Sequence, residues 1–412
     1  MNSSWPDLVS SKTFCGIVLL VLTLTVIATS VLVPSGSPLF EGDFVPFYAA
    51  ATLLKNPTTA SLLYDIDTLS EVQKQLWPHM EGVYLVGYPP YTIALFIPLT
   101  LFAPTVAKAL FVLISVVAVI ISALLLVRIF APTRDIKLQT VVILFCFAPL
   151  FHSVFGGQNS ALSLLLFTIT IYLFIKNTRG GDLLAGGTLG LWLFKPHFAL
   201  VLILGFLAAK RFSILPTLTL MTLSYYGLAT YYLGVNWPLL WLEGLKEFVP
   251  NDFSNNSHQM MSLLGVAKAL ILRLQINESI STIFSGLALV GSVSLLVLSL
   301  RTMYLAPHKT VIYQAHALAL LGNIAILTSP HTLYYDSVLL LPSAFLWIRG
   351  VAQHKRPLTI ITLLLFSAPL VALKSSLPFS PLIFLSTFLA FTTLKKLSDE
   401  TEKRDAGASE FQ

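Results

Sequence analysis

Long apolar runs follow one another along the chain, and short polar segments separate them. Each run has about 15–25 residues, the length that an α-helix needs to cross the hydrocarbon core of a membrane. A soluble protein would have to bury all these runs in one core, which the ratio of surface to volume does not allow. The pattern therefore predicts an all-α polytopic membrane protein. The predicted spans are residues 14–33, 105–128, 138–153, 159–176, 212–233, 281–300, 311–327, 333–348, 357–373 and 381–394.

The apolar run at residues 183–209 is interpreted as a hairpin. Two basic residues precede it and two follow it, namely Lys176, Arg179, Lys210 and Arg211. Basic residues between spans favour the cytoplasm, so a single crossing would put one pair on the wrong side. Two short arms that bend at Lys195-Pro196-His197 satisfy both pairs.

With the hairpin counted as two arms, we expect about 12 spans with both ends in the cytoplasm. Residues 1–396 then form a single transmembrane module, and residues 397–412 form a polar cytoplasmic tail that is predicted to be disordered. The segment 89–103 is bracketed by prolines and has about 15 residues, so whether it crosses or re-enters is left open.

Two large loops fall on the outer side, at residues 34–88 and 234–280. The first holds six acidic and two basic residues, which gives a side-chain charge of −4 and fits an outer location. Its residues 44–54 and 68–77 are predicted to be amphipathic helices that lie on the membrane. The second loop contains an apolar segment that is predicted to be an interfacial helix.

The composition supports a membrane protein and excludes nucleic acid as a partner. Hydrophobic residues make up 56% of the 412 residues, charged residues make up 11%, and the mean hydropathy is +0.81. Soluble proteins carry about 25% charged residues. The formal net charge of +6 comes from short basic clusters between apolar runs, not from a basic stripe with interleaved aromatic residues.

Several polar side chains meet on the outer side in this topology. They are Asp43, Gln158, Asn159, Lys195, His197 and His331. Polar groups at membrane depth are costly and by default indicate a functional site. The sequence has no HExxH, CxxC, GxSxG or P-loop pattern, so neither a metal nor a cofactor is expected.

This set of side chains suits the transfer of a group that is carried on a lipid phosphate. Such a donor has its own leaving group, so the protein must supply a base for the incoming hydroxyl and cations for the phosphate. Asp43 is the candidate base. The candidate cations and hydrogen-bond donors are Lys195, His197 and His331.

Each of these residues also has a structural interpretation. Asp43 precedes a helix-like stretch and is a candidate N-cap. Lys195 can extend to a membrane interface, and His331 can cap a helix. Asp65-Ile66-Asp67 matches the DxD pattern of metal-dependent glycosyltransferases, but its position beside Thr68 favours turn and cap roles. The coincidence of the polar residues on one side favours the functional interpretation.

Short motifs also occur in a fixed order along the chain. They are Asp43-Phe44, Tyr48-Ala49-Ala50, Leu63-Tyr64-Asp65, Tyr88-Pro89-Pro90, Pro98-Leu99, Gly157-Gln158-Asn159, Ala185-Gly186-Gly187 through Gly190 to Lys195-Pro196, Ser329-Pro330-His331 and Tyr335-Asp336. The ordered set spans about residues 40–340 and resembles glycosyltransferase family 87. The chain departs from the family in His197, where a glutamine often follows the proline, and in Phe47-Tyr48, where two tyrosines are common.

The resemblance implies a GT-C fold whose active site faces the periplasm or the cell exterior. The family contains polyprenyl-phosphate-mannose-dependent α-mannosyltransferases, so the resemblance implies a polyprenyl-phosphate sugar donor and an inverting reaction. It assigns Asp43 as the base, and it aligns Lys195 and His331 with the lysine and histidine of family motifs. Tyr48 and Tyr88 are candidate substrate-binding residues in the same motifs.

The sequence thus predicts a multi-pass glycosyltransferase of the bacterial plasma membrane. It would transfer mannose from a polyprenyl phosphate to a lipid or glycan acceptor. One alternative is a flippase or transporter of lipid-linked sugars, which needs polar residues along a path to both faces. A structural assembly partner is the other alternative, and it needs no pocket that joins Asp43 to Lys195.

Overall fold

The computed structural model describes residues 42–130, 147–306, 309–351 and 378–409. These residues are almost entirely helical, and their β-structure is one isolated bridge between Met260 and Leu333. The α-helices are α1 Phe44–Lys55, α2 Ile66–Leu76, α3 Pro90–Ala94, α4 Pro104–Phe130, α5 Ala148–Phe155, α6 Ser160–Lys176, α7 Arg179–Leu191, α8 Pro196–Ala208, α9 Leu215–Leu233, α10 Trp237–Asn256, α11 Leu263–Arg273, α12 Glu278–Leu305, α13 Val311–Thr328, α14 Leu341–Val351 and α15 Leu382–Ser409. The 3₁₀ segments are Ala60–Leu62, Ile97–Leu101, Trp192–Phe194, Phe212–Ile214, Ser257–Gln259 and Tyr334–Leu340.

Four helical segments within the described residues are long and apolar enough to cross a membrane. They are Pro104–Ile129, Phe212–Leu233, Glu278–Leu305 and Val311–Thr328. They confirm four of the predicted apolar spans as long helices. The pair α5 and α6 passes the same test, but the chain bends by 120° between the two helices. The protein is therefore a multi-pass membrane protein, and its described residues form helices and their connections without a β-sheet.

Other predicted spans are only partly described. The runs at 14–33 and 357–373 lie outside the described residues, and the run at 138–153 is described only from residue 147 onward. The run at 333–348 forms the 3₁₀ segment Tyr334–Leu340 followed by α14. The total of about 12 spans therefore stays a prediction.

The predicted hairpin at residues 183–209 is present as α7 and α8, which are separated at Lys195. A proline disfavours helical backbone in the residue before it, and Lys195 accordingly has φ −122° and ψ 78°. Pro196 itself takes the first position of α8, where the missing N–H is tolerated. Each arm has 13 residues, which is shorter than the ~20 residues of a full span.

The structure also answers the open question about residues 89–103 and corrects the prediction for the tail. Residues 89–103 contain α3 and the 3₁₀ segment Ile97–Leu101, so this stretch does not cross as one helix. The prediction of a disordered tail is wrong as far as Ser409, because α15 continues to that residue. The tail is rich in Lys, Glu and Ala, which have high helix propensity.

The chain divides into two compact units, of which the first comprises residues 1–121, 150–162 and 219–255. Helix α1 is the core of this unit, because ten of its 12 residues are buried. It packs against α2, α3 and the following 3₁₀ segment, and the ring of Phe47 stacks on that of Phe96 with centroids 4.7 Å apart. The prediction of an amphipathic surface helix is therefore wrong for α1.

Glycines allow two segments of the chain to approach closely at the start of α1. A Cβ atom on Gly42 would lie 2.3 Å from the carbonyl oxygen of Gly156, and one on Gly157 would lie 2.5 Å from Cβ of Phe44. Gly42 and Gly157 also have positive φ angles of +48° and +73°, which residues with a Cβ rarely adopt. We call Gly42, Gly156 and Gly157 the glycine clasp. It holds the start of α1 against the turn between α5 and α6.

The second unit comprises residues 122–149, 163–218 and 256–412, and α13 forms its centre. Every α13 residue from Tyr313 to Leu327 is buried. Arg211 fixes one end of the hairpin, since it donates to the carbonyl oxygen of Phe174 at 2.8 Å and to Oδ1 of Asp182 at 3.0 Å. This basic residue of the predicted cytoplasmic cluster is thus buried and paired.

A substitution in the glycine clasp should destabilise the protein through a steric clash in addition to the strain of a positive φ. Gly157→Ala should lower the free energy of unfolding by about 2–5 kcal/mol, because a positive φ and a clash with Phe44 act together. Gly82→Ala is the matched control, since Gly82 has φ +82° and no described atom within 4 Å of its Cβ position. It should cost only about 1–2 kcal/mol. Equal losses of stability in the two purified variants would show that the close approach is absent.

Candidate active site

Asp43 lies at the N-terminus of α1, directly after Gly42. It occupies the N-cap position with φ −73° and ψ −4°, but its side chain makes no capping hydrogen bond to the described helix. The cap interpretation is therefore right for the position and wrong for the side chain. The half-buried carboxylate is attached to a core helix, which limits how far it can move.

The glycine clasp places the turn that carries Gln158 and Asn159 against the residues on both sides of Asp43. The Gln158 N–H donates to the carbonyl oxygen of Ser153 at 2.8 Å, which shapes the turn. Both amide side chains are buried, with 4% and 2% of their surface exposed. Gln158 Oε1 and Asn159 Nδ2 find no hydrogen-bond partner among the described residues.

Tyr88 connects this turn to Tyr64 through two hydrogen bonds. Its hydroxyl donates to Asn159 Oδ1 at 3.3 Å, and its own carbonyl oxygen accepts from the Tyr64 hydroxyl at 2.8 Å. The ring of Phe47 packs edge-on against Tyr88 with centroids 4.9 Å apart. The structure thus brings Tyr88 and Asn159 together, as expected for one site.

Tyr48 has a different environment from the other predicted substrate-binding residues. It is buried in the core around α1, and its hydroxyl donates to the carbonyl oxygen of Phe102 at 2.8 Å. Its ring meets Trp77 edge-on with centroids 5.8 Å apart. These contacts hold α1 in place and occupy the Tyr48 hydroxyl with a backbone acceptor.

Lys195 belongs to the second unit, where it forms a buried ion pair with Asp336. Lys195 Nζ lies 2.5 Å from Asp336 Oδ1, and the two side chains are 3% and 5% exposed. The rings of Phe198 and Tyr335 surround the ammonium group at 5.7 and 5.6 Å. Lys195 therefore does not extend to a membrane interface.

His331 lies in a loop that hydrogen bonds hold on both sides. Ser329 Oγ donates to the carbonyl oxygen of His331 at 2.9 Å. The Met261 N–H donates to the carbonyl oxygen of Thr332 at 2.9 Å, next to the bridge between Met260 and Leu333. The loop after α13 is thereby anchored to the segment before α11.

His197 follows Pro196 and lies within electrostatic range of the ion pair and of His331. Its side chain is half-buried, and its ring packs edge-on against that of Phe198 with centroids 4.2 Å apart. The role of His197 as a cation or hydrogen-bond donor stays a prediction.

The DxD pattern has the structural role that the sequence favoured. Asp65 caps α2, since its Oδ1 accepts from the Thr68 N–H at 2.8 Å and from the Thr68 hydroxyl at 2.6 Å. These two hydrogen bonds lower the pKa of Asp65. Asp67 is exposed in the first turn of the helix. No group of three potential metal ligands occurs among the described residues.

The predicted site residues thus form two groups, each within one unit. Asp43, Gln158, Asn159 and Tyr88 belong to the first, and Lys195, His197 and His331 belong to the second. Sequence reasoning assigned no role to Asp336. The sequence did contain an indication of its role, because an acidic residue inside the apolar run at 333–348 requires a buried partner.

Comparison with known proteins identifies a family. The model of glycosyltransferase family 87 matches residues 84–330, which include Tyr88, Gln158, Asn159, Lys195 and His197. Neither the search of curated proteins nor the search of solved structures found a match.

The ion pair predicts a large effect of removing one partner. Asp336→Asn leaves the Lys195 ammonium buried without its counter-charge, so the free energy of unfolding should fall by about 3–5 kcal/mol. The double variant Lys195→Met/Asp336→Leu replaces the pair by apolar groups and should recover most of that loss. Thermal unfolding of both variants in detergent, without substrate, shows which of the two is more stable. A double variant less stable than the single one would contradict it.

Proposed function

The chain belongs to glycosyltransferase family 87, and we propose that it transfers a sugar from a polyprenyl-phosphate donor to a hydroxyl group of a glycolipid or glycan. The proposed sugar is mannose, and the proposed reaction inverts the anomeric centre. We place the reaction on the periplasmic or outer side of a bacterial plasma membrane, within a GT-C fold of about 12 transmembrane helices. The family match supports the reaction class, and the motifs support these further details.

The observation that supports Asp43 as the base is its position at the start of the buried helix α1, beside the turn that carries Gln158 and Asn159. In the proposed step the acceptor oxygen attacks the anomeric carbon while the bond from that carbon to the phosphate oxygen breaks. The acceptor proton passes to the Asp43 carboxylate, and the bonding electrons leave with the phosphate. A carboxylate with an ordinary pKa near 4 is a modest base, but a concerted step asks it only to accept the proton as the new bond forms.

The departing phosphate gains one negative charge in this step, which requires stabilisation. We assign this role to Lys195, with His331 and His197 as hydrogen-bond donors. Lys195 carries three N–H donors and Asp336 accepts from one of them at 2.5 Å. Asp336 thereby orients the ammonium group. A lipid phosphate leaves without further activation, so the proposal includes neither a metal nor a nucleotide sugar.

A transfer assay tests the proposed reaction. The purified protein is incubated with polyprenyl-phosphate mannose, the corresponding glucose and arabinose donors and a native lipid extract. We expect one new glycolipid of increased mass and an anomeric configuration opposite to that of the donor. Movement of the lipid-linked sugar across vesicles without any product would instead support the flippase alternative.

Asp43→Asn tests the base. The variant keeps the shape of the side chain but cannot take up the proton, so kcat should fall by about 10²–10⁴-fold while the donor still binds. Asp67→Asn is the matched control, because it removes an exposed carboxylate from the same loop. Its turnover should stay within about twofold of wild type. Near-normal turnover of Asp43→Asn would refute the assignment.

A further inference from the structure

The amide pair Gln158 and Asn159 has polar atoms that the described part of the chain leaves unsatisfied. Gln158 Oε1 and Asn159 Nδ2 are buried without a hydrogen-bond partner among the described residues. A buried polar atom without a partner is costly. The pair therefore needs a polar ligand to complete its hydrogen bonds.

The hydrogen bond from Tyr88 determines which atom of Asn159 remains available. The Tyr88 hydroxyl donates to Asn159 Oδ1, so the amide group Nδ2 remains as a donor. Gln158 Oε1 is an acceptor. The two neighbouring side chains thus present one acceptor and one donor, on a turn that the glycine clasp holds against the start of α1.

The presence of one acceptor and one donor indicates which part of a lipid-phosphate sugar the pair would bind. A phosphate oxygen only accepts hydrogen bonds and would leave Gln158 Oε1 unsatisfied, and a lipid tail satisfies neither atom. A sugar hydroxyl both donates and accepts. It is therefore the chemical group that matches the pair.

We propose that Gln158 and Asn159 bind hydroxyl groups of a hexose and determine which sugar is used at this site. This inference rests on the proposed function. Gly42 and Phe44, on either side of Asp43, lie against Gly156 and Gly157 of the turn that carries the amide pair, so the bound sugar ring would lie beside the proposed base. The sugar belongs either to the donor or to the acceptor, and the test separates the two sources.

Thermal unfolding without substrate tests whether the Gln158 amide stabilises the folded protein. Gln73→Met is the matched control, because Gln73 is fully buried in the same unit and both ends of its amide bond to Tyr84, at 2.7 and 2.9 Å. We expect Gln73→Met to lower the unfolding temperature and Gln158→Met to leave it unchanged or raise it. A loss in Gln158→Met as large as in Gln73→Met would overturn the inference.

Substrate analogues test the recognition of hydroxyls. Wild type and Gln158→Met are assayed with monodeoxy analogues of polyprenyl-phosphate mannose and, in a second arm, with monodeoxy analogues of the acceptor from the transfer assay. In wild type, removal of the recognised hydroxyl should lower kcat/KM by about 10- to 100-fold. In Gln158→Met the same removal should matter less than about threefold, whereas Gln73→Met should discriminate as wild type does.

The arm in which the discrimination is lost identifies the donor or the acceptor as the source of the sugar. Asn159→Leu should weaken the same discrimination more than Tyr88→Phe, which removes the hydroxyl bond but keeps the Asn159 amide. Discrimination unchanged in Gln158→Met in both arms would overturn the inference while sugar transfer by wild type still stands. Absence of transfer by wild type with every donor would instead refute the proposed function.

Discussion

A polar side chain that is withdrawn from water has to find its partner within the protein or in a ligand, and this constraint governs the polar residues of this apolar chain. Lys195 meets it through Asp336, and Arg211 meets it through Asp182 and a backbone carbonyl. Within the described ranges, Gln158 and Asn159 meet it only in part. The difference separates groups that hold the fold from groups that remain for a substrate.

The main features of the fold could be predicted from the sequence because they follow from short-range rules. Apolar runs of sufficient length form the long helices, and the proline after Lys195 interrupts the hairpin at the expected residue. Asp65 caps α2 because its neighbour Thr68 lies at the right spacing. The resemblance of the ordered motifs to family 87 is confirmed by the family match over residues 84–330.

The remaining features depend on contacts between distant parts of the chain, which a single sequence does not reveal. Lys195 and Asp336 are 141 positions apart, so their pairing could not be derived from spacing. Helix α1 looks like a surface helix when only its loop is considered, but its burial follows from α2 and α3 packing around it. The close approach at the glycine clasp could not be derived either, because a glycine that leaves space for a distant segment does not reveal in the sequence which segment that is.

The burial of α1 has a consequence for how the protein loses activity. A helix that is buried along almost its whole length opens only with the cooperative unit to which it belongs, whereas an exposed loop opens separately at low cost. Asp43 is attached to such a buried helix. Heat inactivation of the proposed base should therefore coincide with the melting of the first unit and not with the earlier opening of a separate loop.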